Sequence, residues 1–289
     1  MRTHAERGCE DGKTNEGGMM RLGVSTWAFP WAIGVPGYPP ARPMDGIAFL
    51  RRAADLGVRV VQIGDNLPLD RVPPDARQAL LDEAARLGLA LEVGTRGIAP
   101  AHLRRYLELA QMCGSPLLRV VIDTAEHHPD PNEIVATLGA LLPDFAAADV
   151  VLGIENHDRF KAATLRTIVE RLDSPHVGIC LDTTNSFGAE EGPELVAEVL
   201  GPYVVNLHIK DFTIRRAAHG LGFVIAGAPA GQGMLDIPKL LRMIQAHGRD
   251  MNAILEQWPA PEATLDATIA KEAAGATQGI AYLRTLLPE

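Results

Sequence analysis

Four polar side chains stand where apolar stretches of the sequence end. Glu155 follows VVLGI and Asp182 follows HVGICL, while His208 lies within YVVNLHIKD and Glu256 follows NAIL. Three carboxylates brought close together would repel one another, and this repulsion, together with burial, would raise their pKa values. A divalent cation among them removes that penalty, and the imidazole supplies a fourth ligand. These residues therefore predict a metal site, provided that the fold brings them together.

The donor set also indicates which cation to expect. Carboxylate oxygens with a single imidazole suit Mn²⁺, Mg²⁺ or Co²⁺ and leave coordination positions open for a substrate. Zn²⁺ is an alternative, although its sites are more often dominated by Cys or His. The sequence predicts one divalent metal ion as cofactor, with Mn²⁺ as the first expectation.

The elements that must position these residues are eight short apolar runs. From Leu22 onward they alternate with longer amphipathic stretches, which is typical of parallel βα units. We predict an α/β protein with a single (β/α)₈ TIM barrel over residues 20–289. A doubly wound sheet is disfavoured because no GxGxxG follows the first run and no GxxxxGK[ST] occurs in the chain. The runs are RLGVSTW, VRVVQIG, LALEVG, LLRVVID, VVLGIEN, HVGICLD, YVVNLHIKD and NAILEQW.

A barrel would explain how the four polar residues meet. They close runs five to eight, and active sites of such barrels lie at the carboxyl ends of the strands. Neighbouring strands are about 4.7–4.9 Å apart, so side chains from consecutive strand ends can converge. Between the runs, helices are predicted over residues 45–56, 74–87, 101–113, 131–148, 164–172, 193–200 and 237–247.

The composition excludes several classes of function. The 289 residues include 27 Lys and Arg against 36 Asp and Glu, and the resulting net charge of -9 disfavours a nucleic acid partner. No apolar run approaches the ~20 residues of a membrane helix, so no membrane association is expected. The three cysteines, Cys9, Cys113 and Cys180, are an odd number without metal-site spacing, and they indicate a reducing, cytoplasmic location.

The first residues form a separate segment. Residues 1–19 lack the apolar centre of a signal peptide, and we predict a disordered leader. Translation could start at Met1 or near Met19 or Met20, since the first apolar run follows at once.

Further side chains near the strand ends are candidate substrate contacts. Lys210, two residues after His208, could neutralise a developing enediolate or hold a substrate carboxylate, or only pair with a nearby carboxylate. Buried guanidinium groups need an anion, so two arginines could bind a substrate carboxylate or balance Asp182 and Glu155. A histidine and three tryptophans could line the pocket or only pack at its rim. These candidates are Arg96, Arg119, His157, Trp27, Trp31 and Trp258.

The stretch IRRAAHGLGFVIAGAPAGQG after run seven is long and glycine-rich for a barrel loop. Loops of this length are commonly lids or specificity elements. Arg215 and Arg216 within it could bind a phosphate or carboxylate, although a solvated basic pair is the simpler interpretation.

Five motifs in this order, GIENHDRF, LDTTNSFG, LHIKDF, GQGMLDIPKLL and ILEQW, resemble the xylose isomerase-like sugar phosphate isomerase/epimerase superfamily. This superfamily includes tagatose and psicose 3-epimerases, hydroxypyruvate isomerase and inosose dehydratase. The resemblance covers nearly all of the chain after Met20. It implies that Glu155 and Glu256 are metal ligands that double as catalytic bases on opposite faces of a substrate, while Asp182 and His208 complete the coordination.

One position departs from the epimerase pattern. Those enzymes usually carry a His three residues after the strand-six Asp, where this sequence has Asn185. Asn185 can hydrogen-bond a substrate but cannot carry a proton, so a 3-epimerase reaction by direct analogy is in doubt.

The resemblance implies chemistry next to a carbonyl group. The first expectation is an isomerase or epimerase of a small sugar, with a metal-stabilised cis-enediolate and Glu155 or Glu256 as base. The alternatives are a lyase of the same fold, either a 3-oxo sugar acid decarboxylase or an inosose-type dehydratase. The loop GFVIAGAPAGQG with LDIP resembles sugar-acid-catabolising members, including 3-oxo-isoapionate decarboxylase.

Two functions of other classes are alternatives to a sugar isomerase or lyase. An endonuclease IV-like nuclease would need more histidines at the strand ends and is opposed by the acidic charge. A metal-free binding protein would purify without a bound ion. The expected partners are a small carbohydrate or sugar-acid substrate and a second copy of the chain, as a homodimer or homotetramer.

Overall fold

A closed barrel of eight parallel strands forms the centre of the molecule. The computed structural model describes residues 19–287, and residues 1–18 of the predicted leader lie outside them. The barrel strands are β1 (Met20–Ser25), β2 (Val60–Ile63), β3 (Ala90–Arg96), β4 (Leu117–Val121), β5 (Val151–Glu155), β6 (Val177–Asp182), β7 (Val204–Ile209) and β10 (Met251–Leu255). Neighbouring strands follow the order β1-β10-β7-β6-β5-β4-β3-β2, and β1 closes the barrel against β10 with Met20 opposite Met251. The predicted TIM barrel is thus confirmed.

Helices surround this barrel, and most begin and end as the sequence indicates. Proline occupies the first turn of several of them, where its missing N–H costs no hydrogen bond. Gly88 ends one helix at φ 66°, a left-handed conformation that glycine adopts without strain. The helices are α1 (Pro30–Ile33), α2 (Gly46–Asp55), α3 (Pro74–Leu87), α4 (Pro100–Met112), α5 (Pro131–Ala148), α6 (Ala162–Leu172), α7 (Pro193–Leu200), α8 (Ile237–Gln245) and α9 (Leu265–Arg284).

The C-terminal helix α9 is not among the predicted helices. Much of its buried face consists of small residues such as Gly275, Ala276 and Gly279, so its apolar period is weak in the sequence. A Cβ at Gly275 would lie 2.7 Å from Gln257 Oε1, and this glycine therefore allows α9 to approach the barrel mouth closely.

The glycine-rich stretch after β7 forms a hairpin where a loop was predicted. β8 (Asp211–Arg216) and β9 (Phe223–Ala228) pair antiparallel, outside the barrel sheet. The Asp211 carboxylate accepts hydrogen bonds from the N–H groups of Gly231 (2.9 Å), Gly233 (2.9 Å) and Leu235 (3.1 Å). The chain that returns from the hairpin is thereby tied to the end of β7.

A continuous apolar core joins strands and helices. Leu138 and Phe145 of α5 and Ile154 of β5 have no exposed surface, as expected for helices packed on a parallel barrel. Within residues 19–287, no helix combines the length and apolar character needed to cross a membrane.

Candidate active site

The structure brings together the four polar side chains that close the later strands. Glu155 ends β5, Asp182 ends β6, His208 lies in β7 and Glu256 directly follows β10. His208 Nδ1 lies 3.5 Å from Glu155 Oε2, 3.9 Å from Asp182 Oδ2 and 3.4 Å from Glu256 Oε1. All four residues are buried, so the cluster lies in the wall and mouth of the barrel, shielded from bulk water.

Lys210 offsets part of the negative charge of this cluster. Its Nζ lies 2.7 Å from Asp182 Oδ2 and 3.0 Å from Glu256 Oε2. Burial alone would raise the pKa of the Asp182 carboxyl, but Lys210 and His208 together hold it below its usual value. The pKa of Glu256 is also lowered against burial, by His208, Lys210 and Arg119. Both carboxyls are therefore ionised at neutral pH.

The atoms that remain without partners indicate a cation site. Within residues 19–287, His208 Nδ1 and Glu256 Oε1 are buried and have no hydrogen-bond partner. Buried polar atoms are normally satisfied, so an unpaired imidazole nitrogen facing an unpaired carboxylate oxygen is a sign of a missing ligand. Ligand atoms of Asp182, His208 and Glu256 lie within 4.8 Å of one another. The residues present thus fit a divalent cation with oxygen and nitrogen ligands.

Arg119 neutralises Glu155 from inside the barrel. It is buried in β4, its Nε donates to Glu155 Oε2, and its Nη1 lies 2.8 Å from Asp65 Oδ1. A Cβ at Gly94 would lie 3.3 Å from Arg119 Cδ, so this glycine leaves room for the guanidinium. Arg119 is therefore engaged by two carboxylates, and its contact with a substrate stays a prediction.

Arg96 shares the carboxylate of Asp65. Its Nε lies 2.9 Å from Asp65 Oδ2, and its Nη1 donates to the carbonyl of Asp123 at 3.1 Å. Although burial would raise the pKa of Asp65, Arg119 and Arg96 hold it well below its usual range. Arg96 lines a separate cavity, of about 300 Å³, so its predicted substrate contact would lie away from the main cavity.

Asn185 links the carboxylate cluster to the main cavity. Its Nδ2 donates to Glu155 Oε1 at 2.6 Å, and its Oδ1 accepts from Lys210 Nζ at 3.4 Å. The ring of His157, by contrast, pairs through Nδ1 with the neighbouring Asp158. His157 is not among the residues that line the main cavity.

The main cavity has a volume of about 730 Å³ and opens above the strand ends. Lys210 and Asn185 line it, and so do the three tryptophans that were candidate contacts, Trp27, Trp31 and Trp258. Val224 and Ile225 of the hairpin lie on its wall, so the hairpin occupies the position expected for a specificity loop. The volume and the largely apolar, aromatic lining of this cavity are typical of a pocket for a small organic molecule.

Several residues of this region are not among the predicted site residues. Asp65 follows β2, and the polar residue after that strand was a signal of the same kind as Glu155. Gln62, Glu92 and Asn206 lie inside strands and hydrogen-bond one another in the barrel interior. In the sequence they are visible only as polar residues within apolar runs. This pattern does not show which face of the strand a residue occupies.

Comparison with known proteins places the chain in a family. Residues 50–286 match the model of the xylose isomerase-like TIM barrel, and the chain belongs to this family. The chain is 36% identical over 271 residues to the 3-oxo-isoapionate decarboxylase of Pectobacterium atrosepticum. The aligned region covers 93% of this chain and 97% of the relative.

Solved structures agree with this fold. A D-psicose 3-epimerase from Clostridium cellulolyticum H10, solved with D-tagatose, superposes with a TM-score of 0.71 at 15% identity, covering 93% of this chain and 99% of the other. A xylose isomerase-like TIM barrel protein from Mycobacterium smegmatis, solved in complex with magnesium, gives a TM-score of 0.67 at 15% identity, covering 93% and 98%. The predicted superfamily is thus confirmed, and the relatives with named activities are enzymes.

Proposed function

We propose that this protein is a divalent-metal-dependent lyase that removes CO₂ from a small 3-oxo sugar acid. The observation that carries the metal-dependent part is the buried cluster of Glu155, Asp182, His208 and Glu256, with its unpartnered nitrogen and oxygen. The decarboxylase named above, similar along nearly the whole of both chains, supports the choice of reaction. The sequence motifs alone favoured an isomerase or epimerase, with the lyase as the alternative.

The charge of the site favours an acidic substrate. Four carboxylates, Asp65, Glu155, Asp182 and Glu256, face the three cations Arg96, Arg119 and Lys210 through ion pairs. The cluster without a metal therefore carries one excess negative charge. A divalent cation would change this to one excess positive charge, which attracts a monoanion into the cavity.

The four clustered residues would hold the ion, and Mn²⁺ or Mg²⁺ fits their ligand atoms best. When bound, such an ion supplies Lewis-acid stabilisation of negative charge on substrate oxygens. Zn²⁺ and Co²⁺ are the alternatives to compare in metal titrations.

Side chains of the protein would carry out the other steps of the proposed decarboxylation. As the bond between C1 and C2 of the substrate breaks, its electron pair enters a C2–C3 double bond, the C3 carbonyl pair moves to its oxygen, and CO₂ leaves. Lys210 Nζ, freed from Asp182 and Glu256 by the cation, would donate a hydrogen bond to the oxygen that gains charge. Glu155 or Glu256 would then take up a proton from water and pass it to C2, so that the carboxylate is restored. The tryptophans that line the cavity would limit the access of bulk water to the enolate.

A second candidate is isomerisation or epimerisation of a small ketose. It is favoured by two carboxylates, Glu155 and Glu256, within 3.5 Å and 3.4 Å of the same imidazole nitrogen, since proton removal and return on opposite faces needs two groups. Asn185, at the position of the epimerase histidine, counts against this reaction because an amide carries no proton.

The test is an assay of the metal-loaded protein with 3-oxo sugar acids, inososes and ketoses. We expect CO₂ release from a 3-oxo sugar acid, dependent on added Mn²⁺ and abolished by a chelator. Ketose interconversion with solvent deuterium entering carbon, without CO₂, would instead establish the second candidate. Water loss from an inosose would establish a dehydratase.

Lys210→Met provides a sharper test of the catalytic assignment. We expect kcat to fall by roughly 10²-fold or more, as when an oxyanion donor is removed, while Mn²⁺ binds at least as tightly because a competing cation is gone. Lys239→Met is the matched control, since Lys239 pairs with Glu194 at the surface, 2.5 Å away. Unchanged kcat in Lys210→Met would exclude Lys210 from the chemistry.

A further inference from the structure

A polar network lies in the barrel interior beside His208. Gln62 of β2, Glu92 of β3 and Asn206 of β7 are buried, with at most 2% of each exposed. Gln62 Nε2 lies 2.9 Å from Glu92 Oε2 and 3.2 Å from Asn206 Oδ1. Asn206 Nδ2 lies 3.0 Å from Glu92 Oε2, and Asn252 Nδ2 lies 2.6 Å from Glu92 Oε1. Amide groups from three residues therefore converge on one carboxylate.

Glu92 fixes the orientation of the Gln62 amide. Burial raises the pKa of the Glu92 carboxyl group. The amide nitrogens of three residues nevertheless face its two oxygens, so Glu92 is the acceptor in each of these hydrogen bonds. The Gln62 amide has two acceptors, Glu92 Oε2 and Asn206 Oδ1, on the side of its nitrogen. The opposite orientation would place Gln62 Oε1 against two acceptor oxygens, Glu92 Oε2 and Asn206 Oδ1, and would lose both of these hydrogen bonds. Gln62 Oε1 consequently points to His208 Nε2, 2.8 Å away.

Cys180 completes the surroundings of the same ring nitrogen. Its Sγ lies 3.2 Å from His208 Nε2 and 3.5 Å from Asn206 Oδ1. The thiol is buried, and its S–H donates to Asn206 Oδ1. With that hydrogen directed to Asn206 Oδ1, the sulfur faces His208 Nε2 as an acceptor. Both neighbours of Nε2, Gln62 Oε1 and Cys180 Sγ, thus accept a hydrogen bond from it, and neither donates one to it.

We propose that Glu92 and Gln62 are positioning residues that hold His208 in the tautomer with hydrogen on Nε2, so that Nδ1 presents its lone pair to the carboxylate cluster. The inference rests on the proposed metal site. It explains what fixes the tautomer of the His208 ring before the ion binds. Glu92 acts through Gln62, and Gln62 acts through His208. A ring with hydrogen on Nδ1 would place a proton where the cation must lie.

Nitrogen NMR of the metal-free protein tests the tautomer directly. With ¹⁵N-labelled histidine, at a pH where the His208 ring carries a single hydrogen, we expect the wild-type signals to show a protonated Nε2 and an unprotonated Nδ1. His208→Ala identifies the signals by their loss. A neutral ring with its hydrogen on Nδ1 in the wild type would overturn the proposal. This measurement requires no metal, so a protein that binds no Mn²⁺ but shows the expected tautomer would refute the proposed function and leave this inference standing.

Two variants test the positioning residues. Gln62→Met has a similar length and no acceptor oxygen, and Glu92→Gln replaces one acceptor oxygen with a donor. In both we expect a mixture of His208 tautomers and weaker Mn²⁺ binding by isothermal titration calorimetry, about 10- to 100-fold for Gln62→Met, as for other residues that orient metal ligands. Gln78→Met, on the exposed face of α3, is the control and should bind Mn²⁺ as the wild type does.

The comparison is made only on variants that remain folded at the assay temperature, judged by circular dichroism. A merely structural role would lower thermal stability without moving the nitrogen shifts of His208. Folded variants with the wild-type tautomer and affinity within twofold of the wild type would overturn the proposal. If neither variant folds, the nitrogen shifts of the wild type still decide it.

Discussion

Glu272 links helix α9 to the tryptophan wall of the cavity. Its carboxylate is fully buried, and it accepts hydrogen bonds from Trp31 N at 2.8 Å and Ala32 N at 3.0 Å, at the start of α1. The indole of Trp31 lines the main cavity and donates to the carbonyl of Pro259 at 3.0 Å. Glu272 therefore holds in place the segment that carries one wall of the candidate active site.

Burial gives this carboxyl group an unusual titration. It raises the pKa of Glu272 from 4.5 to about 7, and the two backbone donors offset only part of the effect. The folded protein thus keeps the Glu272 proton to higher pH than the unfolded chain does. Below the unfolded pKa both states are protonated, so the penalty is absent. As pH rises from the unfolded to the folded pKa the free energy of unfolding falls, and above the folded pKa the loss is constant.

The loss of unfolding free energy can be calculated from the pKa shift of Glu272. One pKa unit corresponds to 1.36 kcal/mol, so a change from 4.5 to about 7 amounts to about 3 kcal/mol lost between mildly acidic and neutral pH. Glu272→Gln removes the titration and leaves one backbone N–H poorly paired, at a pH-independent cost of about 1–3 kcal/mol. The difference between the two proteins should therefore depend on pH by about 3 kcal/mol.

Urea unfolding followed by tryptophan fluorescence and circular dichroism measures this difference. Coincident curves from the two probes establish a single transition, and the wild type is compared with Glu272→Gln at about pH 4 and about pH 8. Other titrating groups cancel in the comparison because both proteins contain them. If the difference in unfolding free energy between the two proteins were the same at both pH values, the assignment of a raised pKa to Glu272 would be refuted.

Three further predictions concern the carboxylate cluster. Glu155→Gln should lower turnover by roughly 10²–10⁴-fold with an unchanged circular dichroism spectrum, and wild-type turnover would remove Glu155 from the mechanism. His208→Ala should bind Mn²⁺ at least about 10-fold more weakly by calorimetry, and equal affinity would exclude it as a ligand. Arg119→Met should lose about 3–5 kcal/mol of unfolding free energy because two buried carboxylates lose their partner. The exposed Arg104→Met should lose no more than about 1 kcal/mol, and equal losses in both would contradict the buried-charge argument.

The sequence predicted those parts of the site that follow from local pattern. A parallel strand is an apolar run, and the polar residue that ends it lies at the barrel mouth, so Glu155, Asp182, His208 and Glu256 could be selected without coordinates. The hairpin of β8 and β9 was not predicted, because glycines interrupt its two short runs of β-branched residues. Helix α9 was not predicted either, because Gly and Ala form much of its buried face and give a weak apolar pattern.

The amino-acid sequence by itself determined the order of the βα units and the side chains that their strand ends present, since both depend on near neighbours in the chain. The closed barrel decided which of those side chains pair. Arg119 meets Asp65 across 54 residues and Glu155 across 36, and Gln62 meets His208 across 146. Such partners are set by the stagger of the strands and by the side of each strand that turns inward. Only the folded structure fixes these, because they result from the packing of the barrel as a whole.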